Sequence, residues 1–311
     1  MHPLLRFAFL AIALASTPLL VAQLPPANSS SASSSTAERG LGLAEKGRCP
    51  EALSLLKKSA PLVQDKQVKY RILMATARCA MSLDQTDTAV RALLELNRDF
   101  PRDPEVLYTT THLYSELASR ASRELAATAP TSAQAMQLEA EAFESQGDWD
   151  KAATEYRRIL EQNPQQRGIH YRLGRVFLLK TPPDVDSGKK ELEEELRIDP
   201  SDAAAEFLLG ETARQAGQWD EAIVRFSAAS KLDAGFQEAY LALGMSLNSA
   251  GRFAEAIPPL ETYVKMQPAD PAGHYQLATS YARTGHKQEA QREMQLQRDT
   301  AAKAPREAQQ P

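Results

Sequence analysis

Three stretches of this chain, GQWDEAIVRF, GRFAEAIPPL and GHKQEAQREM, begin at Gly217, Gly251 and Gly285, a spacing of 34 residues. Two related stretches, GDWDKAATEY and GRCPEALSLL, begin at Gly147 and Gly47. Each has Gly, four residues, Ala, three residues and then a large side chain. A period of this length means one supersecondary unit used repeatedly, and such a unit buries its apolar face only against its neighbours. The 311 residues alone would suggest two ordinary domains. The period replaces them with one repeat array.

With the Ala of each stretch numbered 20, the pattern extends to other places in the unit. Position 8 is Gly40, Ala77, Ala140, Gly174, Gly210, Gly244 and Ala278. Position 20 is Ala52, Ala89, Ala152, Gly188, Ala222, Ala256 and Ala290, and position 24 is Leu56, Leu93, Tyr156, Leu192, Phe226, Leu260 and Met294. Side chains at the contact set the distance between packed helices, so small residues at 8 and 20 allow close approach. The large residue at 24 fills the space beyond. Gly at position 15 can take the left-handed conformation that ends a helix. A closing Pro near position 32 (Pro101, Pro130, Pro164, Pro200, Pro268) cannot continue the second helix. Aromatics make up only 6 % of the chain, which fits a core closed by small residues.

From roughly Ser33 to Gln297 these residues resemble the tetratricopeptide repeat family, whose unit is two antiparallel helices, A and B. The resemblance implies an all-α, right-handed α-solenoid of about eight antiparallel helix pairs. The repeats are expected at 33–69, 70–103, 104–132, 133–166, 167–202, 203–236, 237–270 and 271–302. Repeat packing is assigned to Ala52, Ala89, Ala152, Gly174, Gly210, Ala222, Gly244, Ala256, Ala278 and Ala290.

Three units depart from the pattern. The third is degenerate: Thr111 replaces the small residue, and LASRASREL has no Gly for a turn. Either its helix A runs on or its helix B is short. The fifth carries an insertion in Thr181 to Asp186, lengthening its loop. The seventh has Pro258 and Pro259 at positions 22 and 23, so its helix B is expected to start late or bend at its start.

Ahead of the array, residues 1–22 read as a secretory signal peptide: Arg6, then an apolar run from Phe7 to Ala22 too short to span a bilayer. An uncleaved anchor is the lesser alternative. Residues 23–36 are Ser- and Pro-rich and read as a linker, and 303–311 as a disordered tail. The expected location is the periplasm or outside the cell.

The net charge of −4 gives no footprint for nucleic acid. No catalytic motif, phosphate loop or metal-ligand spacing is present, so no enzyme activity, cofactor or metal is expected. The five histidines are isolated in sequence and read as surface or packing residues. The acidic run Glu191, Glu193, Glu194 and Glu195 reads as a solvated face, with an acidic docking patch as the lesser alternative. Cys49 falls in the A–B turn of the first unit and Cys79 near the end of helix A in the second, which places both near one edge. In an oxidising compartment such a pair can close. The disulfide Cys49–Cys79 is the hypothesis, with two small buried thiols as the alternative.

In the family, helix A lines a concave face. Positions 5, 9 and 12 lie on one stripe of that helix. The candidate partner-binding residues are Tyr108, His112, Tyr171, Arg175, Phe207, Glu211, Arg214, Leu241, Met245 and Tyr275. Position 5 can equally pack between adjacent A helices. One family variant grips a C-terminal carboxylate with Lys and Asn at positions 5 and 9 of its first unit; Ala37 and Leu41 stand there, so that clamp is absent at this end. The expected function is a non-catalytic protein–protein interaction scaffold binding a peptide segment or helix of an unnamed partner. A carbohydrate-binding or enzymatic envelope component, or a structural spacer, is the alternative.

Overall fold

A computed structural model describes residues 29–303. The signal-peptide segment, the first part of the linker and nearly all of the tail lie outside the described residues. Among the described residues there are fifteen α-helices and no strand. The chain divides into two compact units, 1–121 and 122–311.

The first unit holds α1 (Ser29–Glu45), α2 (Cys49–Ser59), α3 (Lys66–Ser82), α4 (Thr86–Asp99) and the start of α5 (Pro104–Thr128). α1 pairs with α2 and α3 with α4, and α3 also packs on α1 and α2. One core joins them, with Leu41, Leu56, Ile72, Ala77, Leu93 and Val106 buried. Residues 29–36, expected as linker, form the opening turns of α1.

The second unit holds α6 (Ala133–Ser145), α7 (Trp149–Gln162), α8 (Ile169–Leu179), α9 (Val185–Ile198) and α10 (Ala203–Gln215). It continues with α11 (Trp219–Leu232), α12 (Gln237–Ser249), α13 (Phe253–Met266), α14 (Pro271–Arg283) and α15 (Lys287–Lys303). Consecutive helices pack in pairs, and each pair packs on the next. Side-chain oxygens of Ser132, Asp148, Asp184, Asp202 and Asp270 accept first-turn N–H groups at five of these helix starts. That is the ordinary reason for Ser or Asp at an N-cap.

The turns between A and B helices have one design. Gly47, Gly147, Gly217, Gly251 and Gly285 all have positive φ, between 71° and 86°. At Gly217 the N–H of Gln218 reaches back to the Ala213 carbonyl at 2.9 Å, closing the helix end as a Schellman motif does. The second repeat has no Gly at this place; Asp84 takes the same conformation, with φ 57°.

The repeat contact is equally regular. Nine of the ten residues assigned to packing are buried and Ala290, on the last helix, is half-buried. A Cβ on Gly174 would meet Leu192 at 2.9 Å, and one on Gly244 would run into Leu260. Position 8 therefore faces position 24 of the same unit.

Helix A of the third repeat runs on. α5 is one helix of 25 residues and no second helix follows within that repeat. Without a Gly turn the chain has no place to reverse. The division between the two units falls inside α5, where residues 118–124 are exposed. Among the described residues the array thus has seven helix pairs and one single helix.

α13 does not start late. It begins at Phe253, the repeat position of Trp219 in α11, and carries Pro258 and Pro259 inside it. Ala254 and Glu255, whose carbonyls lose their N–H donors to these prolines, are exposed, so water can replace the missing bonds.

Candidate functional site

In the first unit α3 and α5 present positions 5 and 9 as Met74 with Arg78 and Tyr108 with His112. A cleft of about 370 Å³ lies over Leu41, Tyr70, Met74 and Arg78, with Cys49 and Cys79 in its wall. A second, of about 570 Å³, is lined by Arg78, Met81, Glu105, Tyr108 and His112. The two clefts share Arg78, Ser82 and Glu105. Arg78 is ion-paired to Glu105, and Arg71 at the rim pairs with Glu38 at 3.3 Å. Tyr108 is 66 % exposed, its ring edge-on to His112 at 4.3 Å.

Cys49 and Cys79 are bonded, with their Cα atoms 5.0 Å apart. The bond joins the start of α2 to α3 and so ties the first repeat to the second. Ala37 and Leu41 are both buried.

In the second unit the candidate residues divide into two groups. Tyr171 is half-buried against the Leu192, Ala205 and Leu209 cluster. The Phe207 ring lies 5.4 Å from Phe226 and 4.8 Å from Phe236. Leu241 packs on the cluster around Leu247 and Leu260. These three side chains hold adjacent repeats together. Met245 is half-buried, and Tyr275 is 52 % exposed. Tyr108 and Tyr275 belong to different units, so the ten candidates do not form one described site.

The charged candidates have partners within the fold. Arg175 is paired to Glu144, whose other oxygen accepts from the Tyr156 hydroxyl at 2.6 Å. Burial first, and then Glu144, push the Tyr156 phenol well above its ordinary range. Arg172 pairs with Glu141 at 3.0 Å and Arg214 with Glu211 at 2.7 Å. Among the described residues no three His, Cys, Asp or Glu groups cluster as a metal site. No described helix is long and apolar enough to cross a membrane.

Family models of the tetratricopeptide repeat match residues 133–176, 207–274 and 241–296. Over these residues the chain carries tetratricopeptide repeats. No curated protein matches it. Among solved structures, YrrB, described as a TPR protein with an unusual peptide-binding site, is 20 % identical with a TM-score of 0.50, over 58 % of this chain and 92 % of that one. The MamA RS-1 ArsTM double mutant is 14 % identical with a TM-score of 0.50, over 55 % and 95 %. At these identities the likeness is one of fold.

The acidic run of α9 is only partly a solvated face. Glu193 is exposed and Glu194 pairs with Arg197. Glu195 is 1 % exposed, and its two oxygens accept from the Gly168 and Tyr171 N–H groups at 2.7 and 3.2 Å. It therefore caps α8 from the next helix, where Gly168 offers no side chain to do so. Glu191 contacts His170 Nδ1 at 2.6 Å. Reading the run by helical phase would have shown that residues 191 and 195 share one face with Leu192.

Proposed function

We propose that this protein is a non-catalytic scaffold that binds an extended or helical segment of another protein along the A-helix face of its repeats. The two adjoining clefts of the first unit carry the reading. They follow α3 and α5, share Arg78 and Glu105, and leave Tyr108 uncovered at their edge. Aromatic side chains and Arg on a preformed surface supply much of the binding energy at interfaces, at little ordering cost to the scaffold. The fold-level likeness to a TPR protein described as having a peptide-binding site is consistent with that use.

We further propose that the protein works outside the cytoplasm, as the apolar start of the chain and the paired cysteines suggest.

A photo-crosslinking residue at Tyr108, compared with one at the exposed Leu94 of α4, tests the assignment. Crosslinks to a second polypeptide from position 108 but not from 94 are expected. Equal yield from both places would overturn it.

A further inference from the structure

His170 is 9 % exposed and lies at position 4 of its repeat, where three elements meet. Its Nδ1 faces a carboxylate oxygen of Glu191 on α9 at 2.6 Å, and its Nε2 faces the Pro164 carbonyl beyond the end of α7 at 3.0 Å. Both neighbours are acceptors once the carboxylate is ionised. A neutral imidazole has one N–H and one lone pair, so it can satisfy only one of them. The doubly protonated ring satisfies both and carries a positive charge opposite the half-buried carboxylate.

The same contact is built a second time. His274 faces Glu293 of α15 at 2.6 Å and the Pro268 carbonyl at 3.1 Å. In both repeats the histidine comes from position 4, the carboxylate from position 23, and the carbonyl from the closing proline of the preceding repeat. Elsewhere on α14, Gln276 and Ser280 bond to the uncharged Asn248 of α12. The arrangement follows from repeat geometry, since two different loops produce it.

We infer that the His170–Glu191–Pro164 contact is a pH-sensitive latch on the junction between the fourth and fifth repeats, closed when the imidazole carries two protons and loosened when it loses one. The two α9 carboxylates favour closure. α9 contributes Glu191 and Glu195. On α6, Glu141 and Glu144 are paired with Arg172 and Arg175 of α8 itself, so these charges offset one another. On the other packed elements, Tyr156 of α7 is bonded to Glu144, and Asp202 is occupied as the cap of α10. Burial by itself lowers the imidazole pKa, but the bonds to Glu191 and Pro164 and the charges of Glu191 and Glu195 outweigh it, and the net shift is upward.

The sign of the effect follows from linkage. With the folded value above the usual imidazole value of about 6.5, the latch contributes fully below that pH and is lost as pH rises through the folded value. What it governs is how firmly α8, the helix carrying Arg172 and Arg175, is held between α7 and α9.

The test follows the His170 ring by NMR in the full chain from pH 5 to 9, with amide exchange over residues 164–175 corrected for intrinsic rates. The ring is expected to titrate above 6.5, and exchange protection to fall across the same range by about tenfold for each pH unit of that rise. In His170→Gln the pH response of this segment should vanish, and Glu191→Gln should lower the midpoint. A wild-type midpoint at or below 6.5, or protection that is flat across the titration, overturns the latch. The two wild-type readouts decide the matter even if the variants fold poorly.

Discussion

A Cβ built on Gly210 would stand 2.7 Å from Cε1 of Phe226. Phe226 is fully buried and belongs to helix B of the same repeat, so the ring has no free direction in which to yield. Ala is the better helix former by about 1 kcal/mol, yet here the clash dominates. Gly210→Ala should therefore destabilise the second unit by roughly 1–3 kcal/mol in chemical denaturation. Phe226→Leu should recover part of that loss in the double variant, giving a coupling energy that separate sites would lack. Additive losses would show that the glycine is there for another reason.

Asp84 holds the left-handed turn that five other repeats give to Gly. Its carboxylate also pairs with Arg120 at 2.5 Å, but both side chains are largely exposed, so that pair contributes little. Asp tolerates this conformation better than Ala does, because its side chain can bond locally. Asp84→Gly should be close to neutral, while Asp84→Ala should cost about 1 kcal/mol. The order Gly, Asp, Ala in unfolding midpoints is the measurement that checks it.

These turn and packing positions were legible because each depends on residues of one repeat read against the same period. Gly at position 15 and a small residue at position 8 have a local reason that recurs every 34 residues. Other features had no such signal. Tyr171 and Phe207 sit at the same repeat position as Tyr108 and Tyr275, and only the tertiary packing decides which ring is covered. Glu195 caps a helix 27 residues earlier in the chain, a partnership that no helical spacing reveals. For α5 the sequence showed a missing turn but left open which helix would lengthen. Pro258 and Pro259 left two outcomes open, a late start or a bend. Only the late start is excluded, because Ala254 and Glu255, which lose their donors, are exposed to water.

The Cys49–Cys79 bond closes a loop spanning 30 residues. On the chain-entropy account, a loop of that length stabilises by about 3–4 kcal/mol. Replacing both cysteines with Ala should lower protection against amide exchange in α1 to α4 and leave α6 to α15 unchanged. Repeat units exchange stability mainly with neighbours, which is why the loss should stay within the first unit. A uniform loss through residue 303 would contradict it.

Glu195 offers the sharpest separation of a buried carboxylate's roles. It accepts from two N–H groups at the start of α8 and lies beside the His170 site. Glu195→Ala leaves those donors unpaired, at a cost of about 1–3 kcal/mol for a buried polar group. Glu195→Gln keeps one acceptor at the helix start but removes the charge, so it should cost less than the Ala variant. Because the Glu195 charge also raises the proton affinity of His170, the Gln variant should lower the His170 titration midpoint while leaving α8 folded. Thermal unfolding of both variants and NMR titration of the Gln variant would establish the pair of effects. An unchanged midpoint would assign Glu195 to helix capping alone.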